Sequence, residues 1–183
     1  MTSAGKRLSP AGGMKLNLDA MYGEYFPKIY NYVFCRILHR QNAEDIVSAV
    51  FLKVVENFDT YNQDKASFAT WIYRIARNTL IDFYRTHKDA ISLDGDDENI
   101  YVPVDFDEES KLIENEDRKA LYTALSKMDA RTREIIALKY YGEMSIRDIS
   151  AMLNINESTA STIHTRGIKK LRQLFGDEFK EEI

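Results

Sequence analysis

Residues 89–110 carry Asp94, Asp96, Asp97, Glu98, Asp105, Asp107, Glu108 and Glu109 with Gly95 and Pro103, and contain neither Lys nor Arg. Like charges in one run repel, and turn formers interrupt helical periodicity, so this stretch is predicted to be a solvated, extended linker. It belongs between folded units, not inside one. The 183 residues therefore read as two small units, with the linker accounting for the net charge of −4. The expected organisation is a mobile tail over 1–16, an N-terminal domain over 17–88, the acidic linker over 89–110 and a second domain over 111–183.

Both units are predicted to be helical, giving an all-α chain. Leu18, Met21, Tyr22, Tyr25, Phe26, Ile29, Tyr30, Val33, Ile37 and Leu38 recur near one face, with a bend expected between Gly23 and Pro27, where proline removes a helix hydrogen bond. Asn42 offers an N-cap for a helix over Ala43 to Phe58, which buries Ile46, Val47, Val50, Phe51, Val54 and Phe58 and turns Glu44, Asp45, Ser48, Ala49, Leu52 and Lys53 outward. Asp59 to Thr70 is rich in turn formers and reads as a loop.

The segment from Phe68 to Lys88 has two unlike faces. Trp71, Ile72, Ile75, Thr79, Leu80 and Phe83 share helical spacing, whereas Arg74, Arg77, Asn78, Tyr84, Arg85 and Lys88 leave cations, an amide and a ring outside. That outer mixture suits a nucleic-acid strand, in which phosphates take cations, base edges take amides and unpaired bases stack on rings. It equally describes an ordinary solvated helix face.

In the second unit, one helix is expected around Leu112 to Leu125 and another after Asp129, stopping near Gly142. Ser145 and Asp148 form a capping box that opens a short helix from Ile146 to Leu153. The polar turn Asn154-Ile155-Asn156 leads to a longer helix from Glu157 to Phe175, which together spell helix-turn-helix. On its second helix Ala160, Ile163, His164, Gly167, Leu171 and Leu174 fall on one side. Ser158, Ser161, Thr162, Thr165, Arg166, Lys169 and Arg172 fall on the other or near its entry, where a recognition helix meets the major groove. His164 is expected to be hydrogen-bonded at the core edge.

Trp71, Tyr73, Arg74, Ile75, Ala76, Arg77, Asn78, Asp82 and Arg85 fall in step with the promoter-melting phrase of the sigma-seventy family, and the segment resembles its extracytoplasmic-function (ECF) branch. Residues 120–175 resemble the same family's minus-thirty-five reader through Arg131 to Glu134, Ser145-Ile-Arg-Asp-Ile, Thr159 and Arg166-Gly-Ile-Lys-Lys-Leu-Arg. The resemblance implies that Glu44, Asp45, Ser48, Ala49 and Leu52 meet the polymerase clamp. It also implies that Tyr61, Phe68, Arg74, Arg77, Asn78 and Arg85 handle the minus-ten element, with Tyr61, residues 62–67 and Asn78 around a base flipped from the stack. Ser158, Ser161, Thr162, Thr165, Arg166 and Lys169 would take upstream DNA. Two departures stand out: Ser48 and Ala49 replace a usual Gln-Glu pair, and Thr159-Ala-Ser-Thr-Ile-His164 replaces a phrase with two more cations.

The partners implied are RNA polymerase core, promoter DNA and an anti-sigma factor, with no cofactor and no small-molecule substrate. A helix-turn-helix regulator that no longer engages polymerase is the alternative. Cys35 is the sole cysteine and the three His are scattered, so no metal site is expected. Paired carboxylates on a cleft, a nucleophile triad and a glycine-rich phosphate loop are all missing from the sequence, which argues against an enzyme. No apolar run approaches the roughly 20 residues that cross a bilayer, and the start lacks a signal-peptide pattern, so a cytoplasmic protein, not membrane-embedded, is expected.

Overall fold

The computed structural model describes residues 17–87, 113 and 115–175. The segments read as tail and acidic linker, and the acidic end after Phe175, lie outside the described residues. Every regular element among the described residues is helical: α1 (Leu18–Ile37), α2 (Arg40–Asn57), a 3-10 turn (Phe58–Thr60), α3 (Phe68–His87), α4 (Glu116–Ser126), α5 (Ala130–Tyr140), α6 (Ile146–Leu153) and α7 (Glu157–Phe175).

Helix α1 runs through Pro27 without a break. The carbonyl that proline leaves without an N–H partner belongs to Gly23, which is exposed, so water can take the bond. Helix α2 begins three residues before the predicted start. His39 is its cap, accepting from the Asn42 backbone N–H at 3.3 Å through Nδ1. Helix α4, by contrast, starts later than the apolar pattern suggests, at an Asn115 cap whose side chain accepts from the Arg118 N–H. Asp129 caps α5 by accepting from the Thr132 N–H at 2.8 Å, and Ser145 caps α6 as its capping box predicts. Burial pulls the Asp129 carboxyl upward, but its bonds from Thr132 win and hold it below the usual range.

Gly142 ends α5 through close approach. A Cβ there would sit 2.5 Å from the Leu138 carbonyl oxygen, while the left-handed residue of the turn is Glu143, at φ 52°. Gly167 has a similar role in packing. Its missing side chain lets α7 lie against α5, where a Cβ would meet Thr132 Cγ2 at 2.7 Å and Ile136 Cδ1 at 3.0 Å. Gly167→Ala is expected to cost about 1–3 kcal/mol through overpacking, read as a lower denaturant midpoint with an unchanged slope.

Helices α1 to α3 form one unit and α4 to α7 the other, yet their buried side chains form a continuous cluster. The two cores meet where α1 packs on α5. Phe34 lies edge-on to Tyr122 with ring centroids 4.7 Å apart, and Tyr73 Oη donates to the Tyr141 carbonyl at 2.6 Å. Cys35 is buried at this junction, and burial pushes its thiol up to about 12, leaving it inert.

Candidate DNA and polymerase surfaces

The outer face of α3 is set by its register. Ile72, Tyr73, Ala76 and Leu80 are buried, which leaves Arg74, Asn78 and Arg85 exposed on the opposite side. Tyr84 does not belong to that exposed set. It is buried, and its hydroxyl donates to the Arg36 carbonyl at 3.3 Å, because its ring falls on the stripe of the helix that faces α1. Arg77 is half-buried, with Nε 3.2 Å from a Glu134 carboxylate oxygen in α5.

Before α3 the chain folds into an aromatic group. Tyr61, expected to line a base pocket, is itself buried at 6% exposure, its ring 5.4 Å from Phe68 and 5.3 Å from Trp71. Phe58 closes the group beneath them. Tyr61 therefore supports the half-buried faces of Phe68 and Trp71 instead of presenting its own ring. Residues 62–65 are exposed, and Asn62 Oδ1 accepts from the Asp64 N–H at 2.8 Å, which shapes the loop as an Asx turn. Phe68 opens α3 and is not part of the loop.

On α2, Asp45 and Ser48 are exposed, Glu44 and Ala49 half-buried, and Leu52 stands out at 59% exposure. Glu44 pairs with Arg40 at 3.0 Å, and Ser48 Oγ donates back to the Glu44 carbonyl at 2.9 Å. That hydroxyl proton is thus used within its own helix. Lys53 reaches across to Asp82 of α3 at 3.0 Å, tying the two surfaces into one block.

The helix-turn-helix is formed by α6 and α7, with Asn154 at φ 53° turning the chain between them. Ser158, Ser161, Thr162, Thr165, Arg166 and Lys169 are all exposed, while Ala160, Gly167, Ile168 and Leu171 are buried. Hydroxyls and cations thus share one open face. His164 differs from its expected bonding. Its ring stacks on Tyr140 at 5.8 Å, and Nε2 is buried with no hydrogen-bond partner among the described residues. Burial first, and Lys139 second, lower its pKa. The folded pKa lies below the unfolded one, so stability is full above about pH 6.5 and falls as pH drops through the folded value. His164→Leu should remove this part of the acid sensitivity, measured as denaturant midpoint against pH.

Sequence reasoning missed the junction of the two units. Arg36 and Glu134 are both buried, with Arg36 Nη1 2.9 Å from one Glu134 oxygen while Arg77 takes the other. Arg36 also donates to the Ala130 carbonyl at 3.0 Å, and Tyr32 Oη donates to Glu134 at 3.4 Å. Burial alone would pull Arg36 down, but Glu134 together with Tyr84 and Tyr32 outweighs it and holds the guanidinium above its ordinary value. The available signal was a charge inside an apolar stripe: Arg36 between Val33 and Ile37, and Glu134 beside Ile135.

Two family models match in chain order: Sigma-70 region 2 over residues 21–90 and Sigma-70 region 4 over residues 124–173. The ECF RNA polymerase sigma factor SigW of Bacillus subtilis is 30% identical over 84% of this chain and 86% of its own length. SigX of the same organism is 26% identical over 87% of this chain and 84% of its own. For BldN of Streptomyces coelicolor, an ECF sigma factor 22% identical over 86% of this chain, the match spans only 60% of the relative's length. The fold is also that of the sigma factor RpoE of Bartonella quintana, solved with the anti-sigma factor NepR: TM-score 0.68, 17% identity, 88% of this chain and 98% of that one.

The fold and the paired regions define a sigma-70-type protein. The chain belongs to the ECF group of RNA polymerase sigma factors.

Proposed function

We propose that this chain joins RNA polymerase core, recognises two promoter elements and helps open the DNA between them and the start of transcription. In this reading residues 17–88 hold core and the minus-ten element, residues 111–183 hold the minus-thirty-five element, and residues 89–110 are the acidic tether. Glu44, Asp45, Ser48, Ala49 and Leu52 meet the clamp. Phe68, Arg74, Arg77, Asn78 and Arg85 take the separated strand, with Tyr61 as a buried support. Ser158, Ser161, Thr162, Thr165, Arg166 and Lys169 take upstream duplex.

The observation that carries this reading is the presence of two open polar faces on separate helices of one chain, α3 with Arg74 and Asn78 and α7 with Arg166 and Lys169. The protein works without a cofactor and is not an enzyme; its chemistry is binding. In this reading it acts in the cytoplasm; no described helix is long and apolar enough to cross a membrane. An anti-sigma factor is its expected regulator, as NepR is the partner in the similar RpoE structure. Purified chain added to core polymerase should co-elute with it and yield promoter-dependent transcripts.

Asn78 is exposed one turn from Arg74, placed to contact a base edge. Asn78→Ala is expected to impair strand opening, read by permanganate reactivity, more than duplex binding; equal losses in both assays would move the contact elsewhere. One observation favours a regulator that no longer engages core: Ser48 spends its proton on α2, and Ala49 offers no polar group. Failure to co-elute with core, with duplex binding intact, would select it.

A further inference from the structure

The first half of the open face of α7 is made of Ser158, Thr159, Ser161, Thr162 and Thr165, with no Arg, Lys, Asn or Gln among residues 158–165. Guanine is read most firmly by two hydrogen bonds from Arg or Lys, and adenine by two from Asn or Gln. This stretch has no side chain that makes such a pair. What short side chains offer instead is approach: nothing long holds the helix off the floor of a major groove, so methyl and hydroxyl groups meet the base edges directly.

Thr162 stands at the centre of that face. It lies one turn from Ser158 on one side and from Arg166 on the other, while the buried Ala160, Gly167 and Leu171 fall on the opposite side of the helix. Its hydroxyl also differs from its neighbours'. Thr162 Oγ1 donates to the Ser158 carbonyl at 2.8 Å, whereas the hydroxyls of Ser158, Ser161 and Thr165 make no hydrogen bond among the described residues.

With its proton held there, Thr162 has none for the O6 and N7 acceptors of guanine. It presents its Cγ2 methyl and the remaining lone pairs of Oγ1. A methyl facing the groove is complementary to the one methyl on the groove floor, at C5 of thymine. The lone pairs fit a donor on the neighbouring pair, adenine N6 or cytosine N4.

We propose that Thr162 is a base-reading residue whose ligand is a thymine C5-methyl group, so that the step facing the middle of α7 is a T·A pair. The proposal rests on the reading of α7 as the helix that takes upstream duplex. It divides the helix: the middle reads by apolar contact, and Arg166 and Lys169, one and two turns on, provide the charge.

Uracil is thymine without that methyl, so the contact is removable from either side. Selection from a random-sequence duplex library by the full chain, alone and assembled with RNA polymerase core, provides the probe, and each thymine of the selected word is then replaced singly by uracil. One replacement should weaken binding by the parent about fourfold, the gain from burying one methyl group. Thr162→Ser keeps the hydroxyl and loses the methyl; it should bind the thymine duplex about fourfold more weakly and be indifferent to the same replacement. Thr162→Val keeps a methyl and should remain sensitive to uracil, with its changed preference confined to the neighbouring pair. A selected word without thymine, or uracil tolerated at every position, overturns the methyl contact and leaves the duplex reading of α7 intact. So does a uracil effect undiminished in Thr162→Ser, which places the thymine against another residue. Failure to bind any duplex, with or without core, sinks the reading of α7 and the contact together.

Discussion

Glu134→Ala is expected to lower the stability of the full chain by about 3–5 kcal/mol, the usual cost of removing one partner from a buried ion pair. The cost falls on two guanidinium groups. Arg36, 7% exposed, would keep its bond to the Ala130 carbonyl but lose the Glu134 carboxylate, and Arg77, 21% exposed, would lose the same carboxylate. The chain can escape part of this penalty by parting α1 from α5, which returns Arg36 to water and exposes Phe34 and Tyr122. Urea unfolding should therefore shift to a lower midpoint and broaden, as two units begin to unfold separately. The double variant Arg36→Met with Glu134→Leu fills the same space without charge and should recover most of the loss, because Arg77 can turn outward. A Glu134→Ala chain within about 0.5 kcal/mol of the parent would mean that the carboxylate is already solvated much of the time.

This junction marks the limit of what the sequence made legible. Periodicity located the helices because a helix has to bury a stripe, and α6 and α7 fall where their capping box and polar turn place them. Local chemistry also exposed Arg74, Asn78, Arg166 and Lys169 correctly, since each lies opposite its helix's apolar stripe. Tertiary partners are different. The outer stripe of α3 gave no sign that Tyr84 turns inward to Arg36, or that Arg77 reaches a carboxylate 57 positions away in the chain. Helix starts shifted as well: His39 caps α2 although Asn42 is the better intrinsic cap, and α4 opens at Asn115, inside the apolar pattern. The acidic stretch marks a division between two helical units, but that division does not prevent the described helices on either side of it from sharing a buried surface.

Neutralising the open face of α7 has the other large expected effect. Arg166 and Lys169 lie three positions apart on one exposed side of the helix, so both can reach phosphates flanking a single stretch of groove. Each phosphate contact releases condensed counterions and contributes about 0.9 to the slope of log affinity against log salt. Arg166→Gln with Lys169→Gln should thus flatten the slope for upstream duplex by about 1.8. Near 0.15 M salt the same two contacts are worth roughly 1.5 log units, a loss of about thirtyfold. The fold should be indifferent, because the stability of α7 comes from Ala160, Gly167, Ile168 and Leu171 on the opposite side. Thr162 provides an internal contrast. Its hydroxyl donates to the Ser158 carbonyl at 2.8 Å, and Thr162→Val, which removes no charge, should leave the slope unchanged while altering sequence preference. Titrations of labelled duplex at several salt concentrations measure both. An unchanged slope in the double-Gln variant would place the upstream phosphate contacts off this face and leave α7 with hydroxyl contacts alone.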